Sequence, residues 1–76
     1  MRVDLLPTTL EGKISRVVEE CGEVLQVIGK IQRFGYRAID RRTSIEYDNW
    51  AQLTAELDQL RHAAQQVLEE KCPTQS

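Results

Sequence analysis

The sequence predicts an all-α fold, an antiparallel hairpin of two long helices that oligomerises into a four-helix bundle. Three observations predict it. Apolar residues recur at steps of three and four along two separate stretches, which is the spacing of one helix face. The two prolines, Pro7 and Pro73, stand near the ends and leave the interior free of helix breakers. No segment alternates apolar and polar residues with the period of two that a strand needs, and there is no internal repeat beyond the two similar helices.

The first helix is expected over about residues 9–34. Thr8-Thr9-Leu10-Glu11 has the S/T-x-x-E form of a capping box, which makes Thr8 the expected N-cap. The apolar series runs Leu10, Ile14, Val17, Cys21, Val24, Ile28 and Ile31, and Gly35 after Phe34 is a natural stop. The helix would be about 39 Å long. Gly12 and Gly22 lie within it, each costing about 1 kcal/mol relative to Ala and marking a place of close helix approach.

Residues 35–47 lack periodicity and read as a loop. The segment around it is basic. Lys30, Arg33, Arg37, Arg41 and Arg42 against Asp40 give +4 over residues 30–42, so the rest of a chain of net charge −2 carries −6. Tyr36 and Tyr47 flank the loop and are expected to tether it, with base stacking as the alternative.

The second helix is expected over about residues 49–71, with Asp48 as N-cap and an irregular turn from Ser44 before it. Its series is Trp50, Leu53, Leu57, Leu60, Ala64 and Val67, widened by Leu68 and ended by Pro73. Trp50 is assigned to the core or a dimer contact. His62, four residues after Asp58, is assigned to a surface pair.

Seventy-six residues make one domain, 1–76. A chain of this size buries only about 60% of the surface its unfolded form exposes. A lone hairpin leaves much of each apolar stripe in water, so a homodimer or a higher even oligomer is expected. With 41% hydrophobic and 29% charged residues the composition is globular, not disordered. The charge of −2 gives no global attraction to nucleic acid or an anionic membrane. No apolar run approaches the roughly 20 residues of a membrane span, and the first residues are too short and acidic for a signal peptide. Cys21 and Cys72 fit no metal spacing; they read as free thiols of a cytoplasmic protein, with Cys21 in the core.

The chemistry lies beside the stripes. With Cys21 and Val24 at heptad positions a and d, Glu20 falls at g and Glu23 at c. With Leu57 and Leu60 at a and d, Glu56 falls at g and Gln59 at c. Each helix thus carries an acid-x-x-polar pair on the same flank, and an antiparallel hairpin can bring the pairs to one pocket. Converging carboxylates repel unless protonated or bridged by a cation, and carboxylate oxygens suit Mg²⁺. The plain alternative is a solvated helix face with ordinary surface pairing, such as Arg16 with Glu20.

Glu19-Glu20-Cys21-Gly22-Glu23-Val24 resembles the E-E-x-G-E-hydrophobic core of the MazG-like, all-α nucleoside triphosphate pyrophosphatases. Ile31-Gln32-Arg33-Phe34-Gly35 resembles the R-F-G that closes this helix in small phage-type members, and the segment from Asp48 to Leu60 resembles their second motif, E-x-x-D within E-L-x-D-hydrophobic. The resemblance implies a bundle that hydrolyses an NTP or dNTP to the monophosphate and pyrophosphate with Mg²⁺, or Mn²⁺ in its place. It implies Glu20, Glu23 and Glu56 as catalytic carboxylates and metal ligands. Gln59 stands at the fourth ligand position, where the family has Asp. Asp58 beside it turns about 100° away on the helix. Lys30 and Arg33, on the first helix toward the basic loop, are the expected phosphate contacts. The chain also stops soon after the second helix, where longer members have a further helix that helps bind the nucleotide. Gln59 and this short end support the alternative, a non-catalytic helical oligomer that binds a nucleotide or a protein partner. A nucleic-acid-binding protein, resting on the Arg loop alone, ranks last because the surrounding surface is acidic.

Overall fold

The computed structural model describes residues 7–39 and 47–73. Within them lie two helices, α1 (Leu10–Phe34) and α2 (Asn49–Leu68), packed against each other, and no strand. Lys13 pairs with Glu70 at one end, and Lys30 donates to Gln52 Oε1 at 2.7 Å toward the other, so the helices run antiparallel. The irregular turn expected from Ser44, together with Asp40, Arg41 and Arg42 of the basic segment, lies outside the described residues.

Thr9, not Thr8, caps α1: its Oγ1 accepts from Gly12 N at 3.1 Å. The cap sits one residue later because Pro7 folds over the first turn. A Cβ on Gly12 would come within 2.9 Å of Pro7 Cβ, so the absent side chain at Gly12 is what lets the chain enter the helix this way. At the far end Gly35 has φ +92 and ψ 169, and its N–H donates to Ile31 O at 2.8 Å. That backbone region is essentially reserved for glycine.

The chain after Gly35 folds onto the start of α2. The N–H groups of Asn49 and Trp50 donate to Ala38 O at 2.8 Å and Tyr36 O at 2.9 Å, satisfying donors that a helix N-terminus leaves without intrahelical partners. Asp48 caps as expected, accepting from Ala51 N at 2.9 Å while holding Arg37 at 2.9 Å. The α2 helix ends at Leu68, three residues before the expected limit, because Glu70 turns its N–H back to Val67 O and carries its carboxylate to Lys13.

The seam between the helices differs from the one the periodicity suggests. Val24, Val27 and Ala63 are buried, and so are the polar side chains of Glu20, Lys30 and Asn49. Cys21, expected in the core, is exposed, as are Ile14, Trp50 and Leu57. Trp50 lies edge-on to Tyr36, with ring centroids 5.8 Å apart. The physical reason is that each helix carries apolar residues on two adjoining faces. The periodicity averages the two, and the helix–helix contact uses one.

Candidate functional site

Glu20 and Glu23 lie three residues apart on α1, and Glu56 faces them from α2. Each offers a carboxylate oxygen, and these oxygens all lie within 4.8 Å of one another. The three differ in exposure: Glu20 is buried at 5%, Glu56 is half-buried and Glu23 is exposed. The seam's rotation toward Glu20 is what brings this carboxylate into the interhelix contact instead of leaving it at the edge.

Burial of Glu20 leaves Oε1 enclosed without a hydrogen-bond partner. Its carboxyl is pushed above the ordinary 4.5, first by loss of water and then by the charges of Glu23 and Glu19, with Arg16 opposing. Glu56 is likewise pushed up, by burial, by the charge of Glu23, by a hydrogen bond with Glu23 and by Glu20, with Lys30 opposing. A hydrogen bond between two carboxyls needs a proton on one of them. Two carboxylates about 4 Å apart near a protein surface repel by about 4 kcal/mol. The cluster therefore calls for a proton or a cation.

A hard divalent cation fits these donors. All three offer carboxylate oxygens, the ligand class that Mg²⁺ prefers, and the buried Glu20 oxygen has an unused lone pair. The three oxygens lie within 4.8 Å of one another, against roughly 4.1 Å between opposite oxygens of an octahedron with Mg–O bonds of about 2.05 Å.

Lys30, the expected phosphate contact, is buried with its Nζ on Gln52 Oε1, and its charge reaches Glu56. Arg33 is exposed, and its guanidinium lies 5.6 Å from the Phe34 ring centroid. Gln59, three residues after Glu56, is exposed. The structure thus brings together Glu20, Glu23 and Glu56, with Lys30 beside Glu56. Gln52 is an addition. It lies four residues before Glu56, a spacing that places both on one helix face and could have singled it out. His62 Nε2 lies 3.6 Å from Asp58 Oδ2 in the expected surface pair. An open depression of about 470 Å³ lined by Tyr36, Arg37 and Trp50 lies at the loop end. No helix among the described residues is long and apolar enough to cross a membrane.

No family model, curated protein or solved structure matches the chain.

Proposed function

We propose that this chain is a Mg²⁺-dependent nucleoside triphosphate pyrophosphohydrolase of the MazG-like type, working in the cytoplasm as an even-numbered assembly of hairpins packed into four-helix bundles. Water adds across the anhydride between the α- and β-phosphates of an NTP or dNTP, leaving the monophosphate and pyrophosphate. The observation that carries this reading is the meeting of Glu20, Glu23 and Glu56 across two helices, with one oxygen of Glu20 buried and unpartnered.

Glu20, Glu23 and Glu56 would hold the cation, with Mn²⁺ able to replace Mg²⁺. When bound, the cation polarises phosphoryl oxygens and offsets the charge of the triphosphate. Burial of Glu20 holds its carboxylate in one place, while exposed Glu23 leaves the site open to a nucleotide. Lys30 supplies a fixed positive charge beside the cluster, where negative phosphate charge has to be accommodated. Arg33 can reach the outer phosphates only by leaving the Phe34 ring.

Gln59 supports a second reading. A neutral, exposed side chain stands where the resembling motif has an acid, and a site one charge short suits a hairpin that binds a nucleotide or a protein partner without hydrolysing it. Pyrophosphate release from a panel of NTPs and dNTPs with Mg²⁺ or Mn²⁺ separates the two. Release that is lost in Glu20→Gln supports the enzyme. Metal-dependent nucleotide binding without release supports the nucleotide binder, and neither release nor binding overturns the enzyme and leaves a protein partner as the ligand of the second reading.

A further inference from the structure

The chain has four aromatic side chains, Phe34, Tyr36, Tyr47 and Trp50, and all four are exposed at the end of the hairpin between α1 and α2. Such rings usually dominate a core, yet the core here is Val24, Val27 and Ala63. Two of the rings are held in place from the backbone. Trp50 N donates to Tyr36 O at 2.9 Å, and Asn49 donates to Ala38 O through its N–H and to Gly35 O through its side chain. These bonds, and not burial of the rings, set Tyr36 and Trp50 5.8 Å apart with their planes at 77°. In an edge-on pair one ring points its rim at the other, so its own two faces are not used by the pair. Tyr36 is 59% and Trp50 47% exposed, which leaves ring surface open to water. Arg37 lines the same depression of about 470 Å³, and its guanidinium rests on Asp48 at 2.9 Å while staying mostly in water.

We propose that this end of the hairpin binds single-stranded nucleic acid, with an unpaired base stacked on the Tyr36–Trp50 pair and the adjoining phosphate on Arg37. In the sequence such a partner had only the basic loop behind it; the anchored ring pair is a second, independent observation. Stacking accepts any base, because every base has a π-face. The Arg37 fork matches a phosphate bidentately. The charge is complementary: among the described residues between 30 and 50, Lys30, Arg33 and Arg37 against Asp48 give +2 in a chain of net charge −2. Arg37 can turn to a phosphate without undoing the helix cap, since Asp48 also accepts from Ala51 N and an exposed ion pair contributes little. A strand fits better than a free nucleotide because the depression is open, whereas a small-molecule pocket encloses about 70–90% of its ligand. Exposed Arg33 and Phe34 offer a further cation and ring at the same end of the hairpin. These groups are distinct from Glu20, Glu23 and Glu56, and strand binding does not depend on hydrolysis.

Trp50 is the single tryptophan, so its emission reports the site directly. The whole chain is titrated with oligothymidylate of about ten nucleotides, in EDTA, so that failure of the cation or hydrolysis reading leaves the test intact. Saturable quenching of Trp50 is expected in the wild type. The logarithm of the affinity should fall against the logarithm of salt with a slope of about −0.7 for one phosphate contact or about −1.4 for two. By anisotropy of a dye-labelled strand, Tyr36→Leu and Trp50→Leu should each bind about fivefold or more weakly. Arg37→Gln should weaken binding and reduce the slope by about 0.7. Arg61→Gln, which removes an exposed cation paired with Asp58 farther along α2, should change neither. No quenching and no rise in anisotropy with the wild type overturns the proposal, whatever the variants do. Equal binding by folded ring variants overturns it as well. Displacement of the strand by an equal concentration of thymidine monophosphate would assign the depression to a free nucleotide, and displacement by polyglutamate would assign it to charge alone. Either result also overturns it.

Discussion

The side-chain amide of Asn49 donates to the carbonyl oxygen of Gly35 at 3.1 Å, joining the first residue of one helix to the residue that closes the other. Asn49 is 2% exposed, so its side-chain amide is kept from water and depends on this bond. Asn49→Ala should cost about 1–3 kcal/mol, the range for leaving a buried polar group unpaired. Asn49→Leu should do no better, because it restores volume without the donor. Urea unfolding followed by circular dichroism reads both.

Gly35 itself sits at φ +92, ψ 169. Gly35→Ala should destabilise by about 1–3 kcal/mol. The strain is in the backbone and not in packing, since a Cβ there would meet nothing within 4 Å. Gly22→Ala provides the contrast. In an isolated hairpin it should stabilise by about 1 kcal/mol through helix propensity. Thermal unfolding of the two variants side by side should give shifts of opposite sign.

The carboxyls set opposing pH dependences. Glu20 and Glu56 are raised from 4.5, chiefly by burial, so the folded state binds their protons more tightly than the unfolded state does. Their stabilising contribution is complete below about 4.5 and is lost as pH rises through the folded values. Asp48 and Asp58 are lowered from 3.8, the first mainly by the Ala51 N–H and Arg37, the second by Arg61. Their contribution is present above 3.8 and lost as pH falls through the folded values. Cation-free protein should therefore be most stable at mildly acidic pH. Glu20→Gln should flatten the descent toward neutral pH and raise the midpoint of thermal unfolding at pH 7, although the same change removes a proposed ligand. A lower midpoint for Glu20→Gln at pH 7 would contradict this.

The hairpin was legible in the sequence because its punctuation is local. Asp48 and Gly35 act where they stand, and Pro73 and the spacing of apolar residues bound the helices to within a few positions. The rotation of the helices about their axes was not legible. Periodicity reports the summed direction of all apolar side chains, and here that sum covers both the seam and the exposed stripes. A heptad frame with Cys21 at its centre consequently puts Glu20 at the edge, while the packed helices bury Glu20 and expose Cys21. Charged residues are almost never fully buried unless paired, so composition argues against burial of Glu20 and Lys30. Only the facing helix, with Glu56 and Gln52 on it, accounts for them. The pairing of acids from two helices was accessible from spacing, since Glu20 and Glu23 are neighbours on α1 and the heptad frame puts Glu56 on the matching flank of α2.

Lys30 offers a separate check on the electrostatics. Its charge favours the ionised form of Glu56. Lys30→Met keeps much of the apolar stem but removes that charge. The Glu56 carboxyl should then titrate at higher pH than in the wild type, as followed by carboxyl NMR shifts. If the enzyme reading holds, KM for a triphosphate should rise more than kcat falls.

Calorimetric titration of Mn²⁺ into the protein reads out whether Glu20, Glu23 and Glu56 hold one cation together. The cluster predicts one cation per chain, with more protons released on binding as the pH is lowered, because the cation holds Glu20 and Glu56 in their ionised form. Each of Glu20→Gln, Glu23→Gln and Glu56→Gln should weaken binding about tenfold or more, which is about 1.4 kcal/mol or greater. Binding of equal strength in the wild type and the triple variant, or no binding in the wild type, would contradict it.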